Sequence, residues 1–206
     1  DTQTSRGLGD VYKRQESELL EGMTRLVLEQ DPDIITGYNI DNFDLPRIAE
    51  RVEALGGRKD AARRLAMFGW GRTPQDASDL RRQRESVVPK RASTRAWTLG
   101  GRCVMDAWWQ ARMALRPQRE TLAFVSALLF PEDAERQKMD VDASRMDEEW
   151  AARPDVVLEY CRRDAALPLD ILHALQIVRR KEAVAAVAKV PFETASNGST
   201  SQLIDS

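Results

Sequence analysis

The stretch "GYNIDNFDLPRI", residues 37–48, decides the fold prediction because it joins a short apolar run to an amphipathic helix. The run over residues 33–38 is typical of a buried strand. The stretch "DLPRIAERVEALGG" predicts a helix, with Pro46 in its first turn and two glycines past its end. Another helix is predicted over residues 16–30. The order helix, strand, helix indicates an α/β fold.

The corner between strand and helix carries four polar side chains: Asn39, Asp41, Asn42 and Asp44. One interpretation is turn and cap chemistry, in which Asp44 is the N-cap of the helix and the asparagines satisfy turn backbone. The other is a metal site, since active sites of α/β sheets form where strands end. The corner alone leaves both interpretations open.

The composition limits the chemistry that this chain of 206 residues can perform. Its two cysteines, Cys103 and Cys161, form no CxxC motif, which favours a reducing compartment and argues against a zinc ribbon. His173 is the single histidine, so a Ser-His-Asp triad or a histidine-rich metal site has little to be built from. No run approaches the ~20 apolar residues of a membrane-spanning helix. Carboxylates are therefore the candidate catalytic groups, and no membrane partner is expected.

The charge is unevenly distributed along the sequence. Residues 58–102 hold twelve basic and four acidic side chains, a net charge of +8, whereas the rest of the chain sums to −10. A basic segment in an acidic protein indicates contact with a polyanion. On charge alone, a solvated surface insertion is the preferred alternative.

A second carboxylate stands out on the helix predicted from residue 154 onward. One stripe of that helix holds Asp164 among apolar and aromatic residues: Val156, Tyr160, Leu167, Ile171, Leu175 and Val178. An unpaired carboxylate there is costly to bury, and Tyr160 lies one turn before it. Pro168 cannot bond the carbonyl of Asp164, so a bend or break is predicted there. The alternatives to a functional role are that Asp164 pairs with Arg162, Arg163 or another arginine, or that the stripe is only half buried.

The remaining segments predict mostly helices. A hairpin is predicted within residues 86–101, a strand over 101–106 that continues into a helix, and another helix over 120–130. Ser144 and Asp147 are typical of a capping box. Residues 191–206 are predicted to be loop-like. Residues 1–15 have little periodicity and are interpreted as a non-native or disordered leader, which is set aside from the fold prediction.

Two motifs resemble the exonuclease domain of family B DNA polymerases, most closely the archaeal and eukaryotic replicative branch. "DPDIITGYNIDNFDLPRIAERV" is similar to the family's second exonuclease motif, Asn-x3-Phe-Asp after a strand. "YCRRDAALPLDIL" is similar to its third, Tyr-x3-Asp. The segments "GGRCVMDAWW", "ETLAFVSALLF" and "DVDASRMDEEW" follow in the family's order. The resemblance covers residues 16–206.

The resemblance implies an RNase H-like, DEDDy-type 3′–5′ proofreading domain that uses two divalent ions, Mg²⁺ or Mn²⁺. It implies that Asp44 and Asp164 ligate metal and that Tyr160 orients the attacking water. It also implies that three further residues bind DNA: Asn39, Phe43 and Lys138. Asp41 lies off the motif position and is expected to be solvated.

One departure concerns the family's first motif, Asp-x-Glu, which does not occur before residue 33. The expectation is therefore a fragment, incomplete at the N-terminus, with its first strands missing and little activity alone. Residues 16–190 would be a partial exonuclease domain with the basic insertion 58–102, and residues 191–206 a linker toward a polymerase domain. The expected partners are a single-stranded 3′ end, primer-template DNA and, through missing regions, a sliding clamp, in the cytoplasm, nucleoid or nucleus. A catalytically silent DNA-binding domain is the alternative.

Overall fold

The computed structural model describes residues 2–56, 60–72, 83–85, 95–97, 99–136, 139 and 141–197. Strands β1 (Ile34–Gly37) and β4 (Cys103–Asp106) pair in one two-stranded sheet. Strand β2 (Gln83–Glu85) pairs with β3 (Arg95–Trp97) in another. None of the helices in the described ranges is long and apolar enough to cross a membrane. The helices and strands, in chain order, are α1 (Thr2–Gln30), β1 (Ile34–Gly37), α2 (Asp44–Gly56), α3 (Ala61–Phe68), β2 (Gln83–Glu85), β3 (Arg95–Trp97), β4 (Cys103–Asp106), α4 (Ala107–Leu115), α5 (Leu122–Leu129), α6 (Met146–Ala152), α7 (Pro154–Ala174), α8 (Ile177–Ala188) and α9 (Phe192–Asn197).

The mixed helix and strand order confirms the predicted α/β class at the level of its elements. The strand and helix that flank the corner are β1 and α2, and the strand that continues into a helix is β4 followed by α4. Strand β3 lies within the segment in which a hairpin was predicted, and it pairs antiparallel with β2, with Gln83 opposite Trp97. Strand β2 lies upstream of the predicted segment, and Pro89 lies outside the described residues.

Two terminal predictions differ from the structure. Helix α1 begins at Thr2 and passes through most of the segment that was set aside as a leader, whose non-native origin stays a prediction. The prediction of a loop-like tail is wrong for residues 192–197, which form α9. Its residues Ala195 and Ser196 are buried, which the short polar sequence did not indicate.

The prediction of an interruption after Asp164 is wrong in one respect, because α7 continues through Pro168 to Ala174. Proline still leaves the carbonyl of Asp164 without its helical donor. Pro168 and the neighbouring Leu167 are buried, as is Ile171, so packing of this face offsets the lost hydrogen bond. The helix instead ends just before Gln176, whose φ of 51° is left-handed.

The chain divides into two compact units, and the first lies within Asp1–Ile35, Ile40–Val104 and Asn197–Thr200. Its core packs α1, α2 and α3 together with the tryptophan of β3. Trp70 and Trp97 are each 2% exposed, and Phe68 meets Trp70 edge-on at 4.7 Å between ring centroids. Both indoles find acceptors: Trp70 donates to Thr24 Oγ1 and Trp97 to the carbonyl of Asp41. The core therefore fixes the corner that leads into α2.

Two arginines of the basic segment, which was predicted to contact a polyanion or to be a solvated surface insertion, make structural contacts within this unit. The side chain of Arg102 is 1% exposed and lies 2.8 Å from Asp31. It donates to the carbonyls of Trp70 and Pro32 at 2.6 and 2.5 Å. Arg72 bonds Asp31 and Asp33. The hydrogen bonds from Arg72 and Arg102 lower the pKa of Asp31, and the bond from Arg72 has the larger effect.

We expect Arg102→Met to destabilise the first unit by about 2–4 kcal/mol, because two carbonyls lose their donor inside the protein. The matched control is Arg47→Met, which removes an exposed pair with Glu50 and should cost under about 1 kcal/mol. The measurement is the melting temperature of the domain within the intact protein. Equal, small shifts for both variants would contradict the structural role of Arg102.

The second unit lies within Thr36–Asn39, Met105–Ser196 and Ser201–Ser206. Helix α7 is its central element and contacts α4, α5, α6 and α8. Val157, Leu167, Ile171 and Leu172 are its buried apolar residues. The amide of Gln110, itself 2% exposed, donates to the carbonyl of Ser196 and so ties α9 to α4.

The predicted capping box before α6 is wrong. Ser144 belongs to a short 3-10 helix, Ala143–Arg145, and its hydroxyl donates to Asp142. Asp142 also accepts from the backbone amide of Ser144 and is therefore the capping residue. The Asp142 side chain reaches the amide of Ser144, which in a box the side chain of Asp147 would satisfy, so the sequence pattern was ambiguous.

Candidate functional site

In the first unit, the corner presents an exposed aromatic residue beside an acid. Phe43 is 61% exposed, and its carbonyl accepts from the amide of Arg47 in the first turn of α2. Asp44 lies within that first turn rather than before the helix, so its interpretation as the N-cap is wrong. The carboxyl of Asp44 is exposed to solvent, yet neighbouring protein atoms displace part of its hydration and raise its pKa. A bond from its own amide lowers the pKa in part.

The prediction that Asp41 is solvated is wrong. Asp41 is 7% exposed, and its backbone carbonyl accepts from the indole of Trp97 at 3.0 Å. Burial of the preceding Ile40 and of Leu45 draws this part of the corner into the core. Asp44 is thus the carboxylate of the corner that faces solvent.

In the second unit, the other half of the corner has a constrained backbone. Asn39 is half-buried and has a φ of 65°, in the left-handed region that asparagine tolerates better than most residues. Its amide donates to Asp106 Oδ1 at 2.8 Å. The preceding Tyr38 donates its hydroxyl to the carbonyl of Glu120 at 2.8 Å. Burial, followed by the charges of Asp106 and Glu120, raises the pKa of Tyr38 above its ordinary value.

The structure brings Tyr160 and Asp164 together on α7. Both are half-buried and one helical turn apart, and the Tyr160 hydroxyl shares a hydrogen bond with the Asp164 carboxylate. Burial, this hydrogen bond and the charge of Asp164 raise the pKa of Tyr160 to about 12. The phenol therefore stays protonated at neutral pH and acts as a hydrogen-bond donor.

The two arginines that precede Asp164 have another partner. Arg162 and Arg163 both bond Glu159, at 2.7 and 2.8 Å, and hold its pKa at about 2. Asp164 is therefore not paired with these two neighbours, whereas the alternative of a half-buried stripe holds at Val156, Tyr160 and Asp164. An available carboxylate beside a phenolic donor is suited to bind a cation or orient water.

The donor chemistry of Asp44 and Asp164 fits a hard divalent cation, because carboxylate oxygens are the ligands that Mg²⁺ and Mn²⁺ prefer. The raised pKa of Asp44 records a charge whose hydration is partly removed, which a cation would offset. Within the described residues, no three histidine, cysteine or acidic side chains gather into a group that could hold a metal ion. Lys138, predicted to contact DNA, lies outside the described residues.

Comparison with known proteins identifies the family. The family model for the exonuclease domain of DNA polymerase family B matches residues 7–119, which include the corner from Asn39 to Asp44. This chain belongs to the family B DNA polymerases. The match begins inside the segment that was set aside as a leader.

Family B relatives align over most of the chain. The DNA polymerase delta catalytic subunit of Caenorhabditis elegans is 33% identical over 187 residues, which cover 86% of this chain and 16% of that protein. The corresponding subunit of Mesocricetus auratus is 31% identical, with 88% and 16% covered. DNA polymerase 2 of Aeropyrum pernix is 31% identical over 114 residues, with 49% and 14% covered. A match over 86% of the chain necessarily spans both Asp44 and Asp164.

One residue of this family B chain was missed by sequence reasoning. Asp106 ends β4, is 2% exposed and bonds both the corner and the start of α4. The sequence contains a signal for Asp106, because an acid between an apolar strand and a helix is the pattern that also marks Asp44. It was overlooked because Asp106 belongs to neither of the family's quoted motifs.

Proposed function

We propose that this chain is part of a DNA-directed DNA polymerase and contributes much of its RNase H-like 3′–5′ proofreading exonuclease. The reaction is hydrolysis of the terminal phosphodiester of a DNA 3′ end. The observation that supports the proposal is the hydrogen-bonded Tyr160–Asp164 pair on α7, whose spacing resembles the Tyr-x3-Asp of the family's third motif.

Asp44 and Asp164 would hold the divalent ions, Mg²⁺ or Mn²⁺. Bound there, such ions lower the pKa of water and offset the charge that develops on the phosphate oxygens. The Tyr160 hydroxyl, kept protonated by its pKa of about 12, would donate its one proton to Asp164, and its oxygen would accept a hydrogen bond from the attacking water and so orient it. Asp164 accepts from this hydroxyl and fixes the direction in which it points.

Asn39 and Phe43 would hold the frayed single strand. An aromatic ring that is 61% exposed beside a candidate metal ligand offers a stacking surface for a terminal base. Asn39 can hydrogen-bond the strand from the same corner of the chain. The basic segment 58–102 would contribute phosphate contacts through arginines other than Arg72 and Arg102.

The remaining parts of the proposal concern the whole protein. It would bind primer-template DNA, engage a sliding clamp through other regions, and work in the nucleoid, or in the nucleus if the host is eukaryotic. The test is digestion of a 5′-labelled single strand by the intact protein with Mg²⁺. Shortening from the 3′ end supports the exonuclease. Binding without shortening would support the silent DNA-binding alternative instead.

We expect Tyr160→Phe to slow digestion roughly tenfold to a hundredfold, because the hydroxyl that orients water is lost while Asp164 remains. The slowing should be equal at about pH 7 and pH 9.5, since a group with a pKa near 12 does not titrate between them. Tyr12→Phe, at a residue that is 64% exposed, is the matched control. An unchanged rate for Tyr160→Phe would remove this tyrosine from the mechanism.

A further inference from the structure

The corner residue Asn39 is held by a buried carboxylate that the family's motifs do not include. We propose that Asp106 is a positioning residue, which sets Asn39 in the geometry that grips the 3′-terminal strand. The inference rests on the proposed function, and it adds a residue that acts through another rather than on the DNA.

A single oxygen of Asp106 joins two elements of the second unit. Oδ1 accepts from the amide of Asn39 at 2.8 Å and from the amide of Trp108 at 2.9 Å. The first bond reaches the end of β1, and the second caps α4. Bonds from backbone amides to a carboxylate are charge-assisted, and with Asp106 only 2% exposed they are shielded from water.

The backbone of Asn39 is stabilised by this bond from outside the corner. Its φ of 65° is left-handed, and although asparagine adopts that region more readily than most residues, the bond favours it over negative φ. The bond from its amide to Asp106 fixes the peptide plane that precedes its Cα. Without that bond, the residue can relax toward negative φ, which turns its side chain away from its present direction.

Tyr38, the residue before Asn39, is held by a hydrogen bond that does not involve Asp106. Tyr38 donates to the carbonyl of Glu120, and the carboxylate of Glu120 pairs with Arg112 at 2.8 Å. Loss of Asp106 therefore leaves the hydrogen bond of Tyr38 in place and removes the bond that the amide of Asn39 makes to this carboxylate. The expected defect is a misdirected binding group rather than a general loosening of the corner.

The experiment is a double-mutant cycle between Asp106 and Asn39 in the intact protein, with KM and kcat measured for digestion of a single-stranded oligonucleotide. Asn39→Gly removes the side chain, but glycine keeps the left-handed backbone without strain. We expect each of Asn39→Gly and Asp106→Ala to raise KM roughly tenfold, with kcat within about twofold. The double variant should show no further rise, because both changes remove the same contact.

Two further variants separate positioning from folding. Asp106→Ser keeps a good helix cap, but its hydroxyl is one bond shorter and should lose Asn39, so KM should rise as with alanine. Asp106→Asn keeps an acceptor at the same reach and should restore KM to within about threefold of wild type. Asp60→Ala is the matched control, because Asp60 caps α3 through the amide of Arg63. It should leave KM unchanged.

The outcomes distinguish this inference from the proposed function. If Asn39→Gly raises KM and Asp106→Ala raises it additively on top, Asp106 does not act through Asn39 and the inference fails. If Asp106→Ala and Asp106→Ser lower only kcat or thermal stability, the residue is merely structural and the inference fails. If Asn39→Gly leaves KM unchanged, the proposed strand contact itself is wrong, whatever Asp106 does.

Discussion

Asp164→Ala in the intact protein should lower the rate of 3′–5′ digestion by about a thousandfold or more, which corresponds to roughly 4 kcal/mol of lost transition-state stabilisation. The carboxylate is the acceptor for Tyr160 and the proposed ligand on α7, so its removal takes away both the charge and the orientation of the phenol. DNA synthesis, which would depend on other regions, should stay within about twofold of wild type. Gel assays of primer shortening and extension measure the two rates side by side.

The matched control for Asp164 is Asp170→Asn, on the same helix. Asp170 pairs with Arg136 at 3.0 Å and has no part in the proposed chemistry. Its loss should leave digestion unchanged and alter stability by less than about 1 kcal/mol. Full digestion by Asp164→Ala, or an equal loss in both variants, would rule out a specific role for Asp164.

Asp44→Asn should abolish digestion to a similar extent and also raise the melting temperature slightly at neutral pH. Its folded-state pKa is raised, chiefly by desolvation, so the ionised form disfavours folding. That penalty is fully present above the folded pKa and disappears below the ordinary value of 3.8. Because the carboxyl is exposed, we expect a gain of under about 1 kcal/mol at pH 7 in a chelator, and none near pH 3.

Glu50→Gln is the control for Asp44, because Glu50 lies on the same helix in an exposed pair with Arg47. It should leave digestion unchanged. If the Asp44→Asn variant is more stable but still digests DNA, the desolvated charge of Asp44 has no role in catalysis. A destabilised one would show that Asp44 serves the fold.

The strand and the helix on either side of the corner were predictable, because the hydrophobic periodicity and the bounding turn residues indicate the same elements. Two apolar residues before Gly37, and the spacing of Leu45, Ile48 and Val52 after it, each favour a single element type. The stripe on α7 was likewise predictable, since Asp164 interrupts an otherwise apolar face. Burial follows the pattern at Leu45 and Val52 and at Leu167 and Ile171, whereas β1, which was predicted to be buried, and the start of the stripe are half-buried.

Tertiary contacts decided the predictions that failed. Asp41 is buried through the packing of Trp97, which lies more than fifty residues away, and no local pattern reports such a contact. Helix α9 depends on Gln110 and Lys181, which donate to the carbonyls of Ser196 and Ala195. The sequence presents Arg102 as one more cation of a basic segment, because nothing local indicates that its side chain is buried and paired with Asp31.

The measurement that tests the central claim most directly is single-turnover digestion, by the intact protein with Mg²⁺, of a primer whose 3′ nucleotide is paired or mispaired. Proofreading requires a frayed strand, so the mispaired terminus should be removed at least roughly tenfold faster than the paired one. The same difference should vanish with Asp164→Ala. No removal by the wild-type protein, or removal that survives Asp164→Ala, would contradict the account.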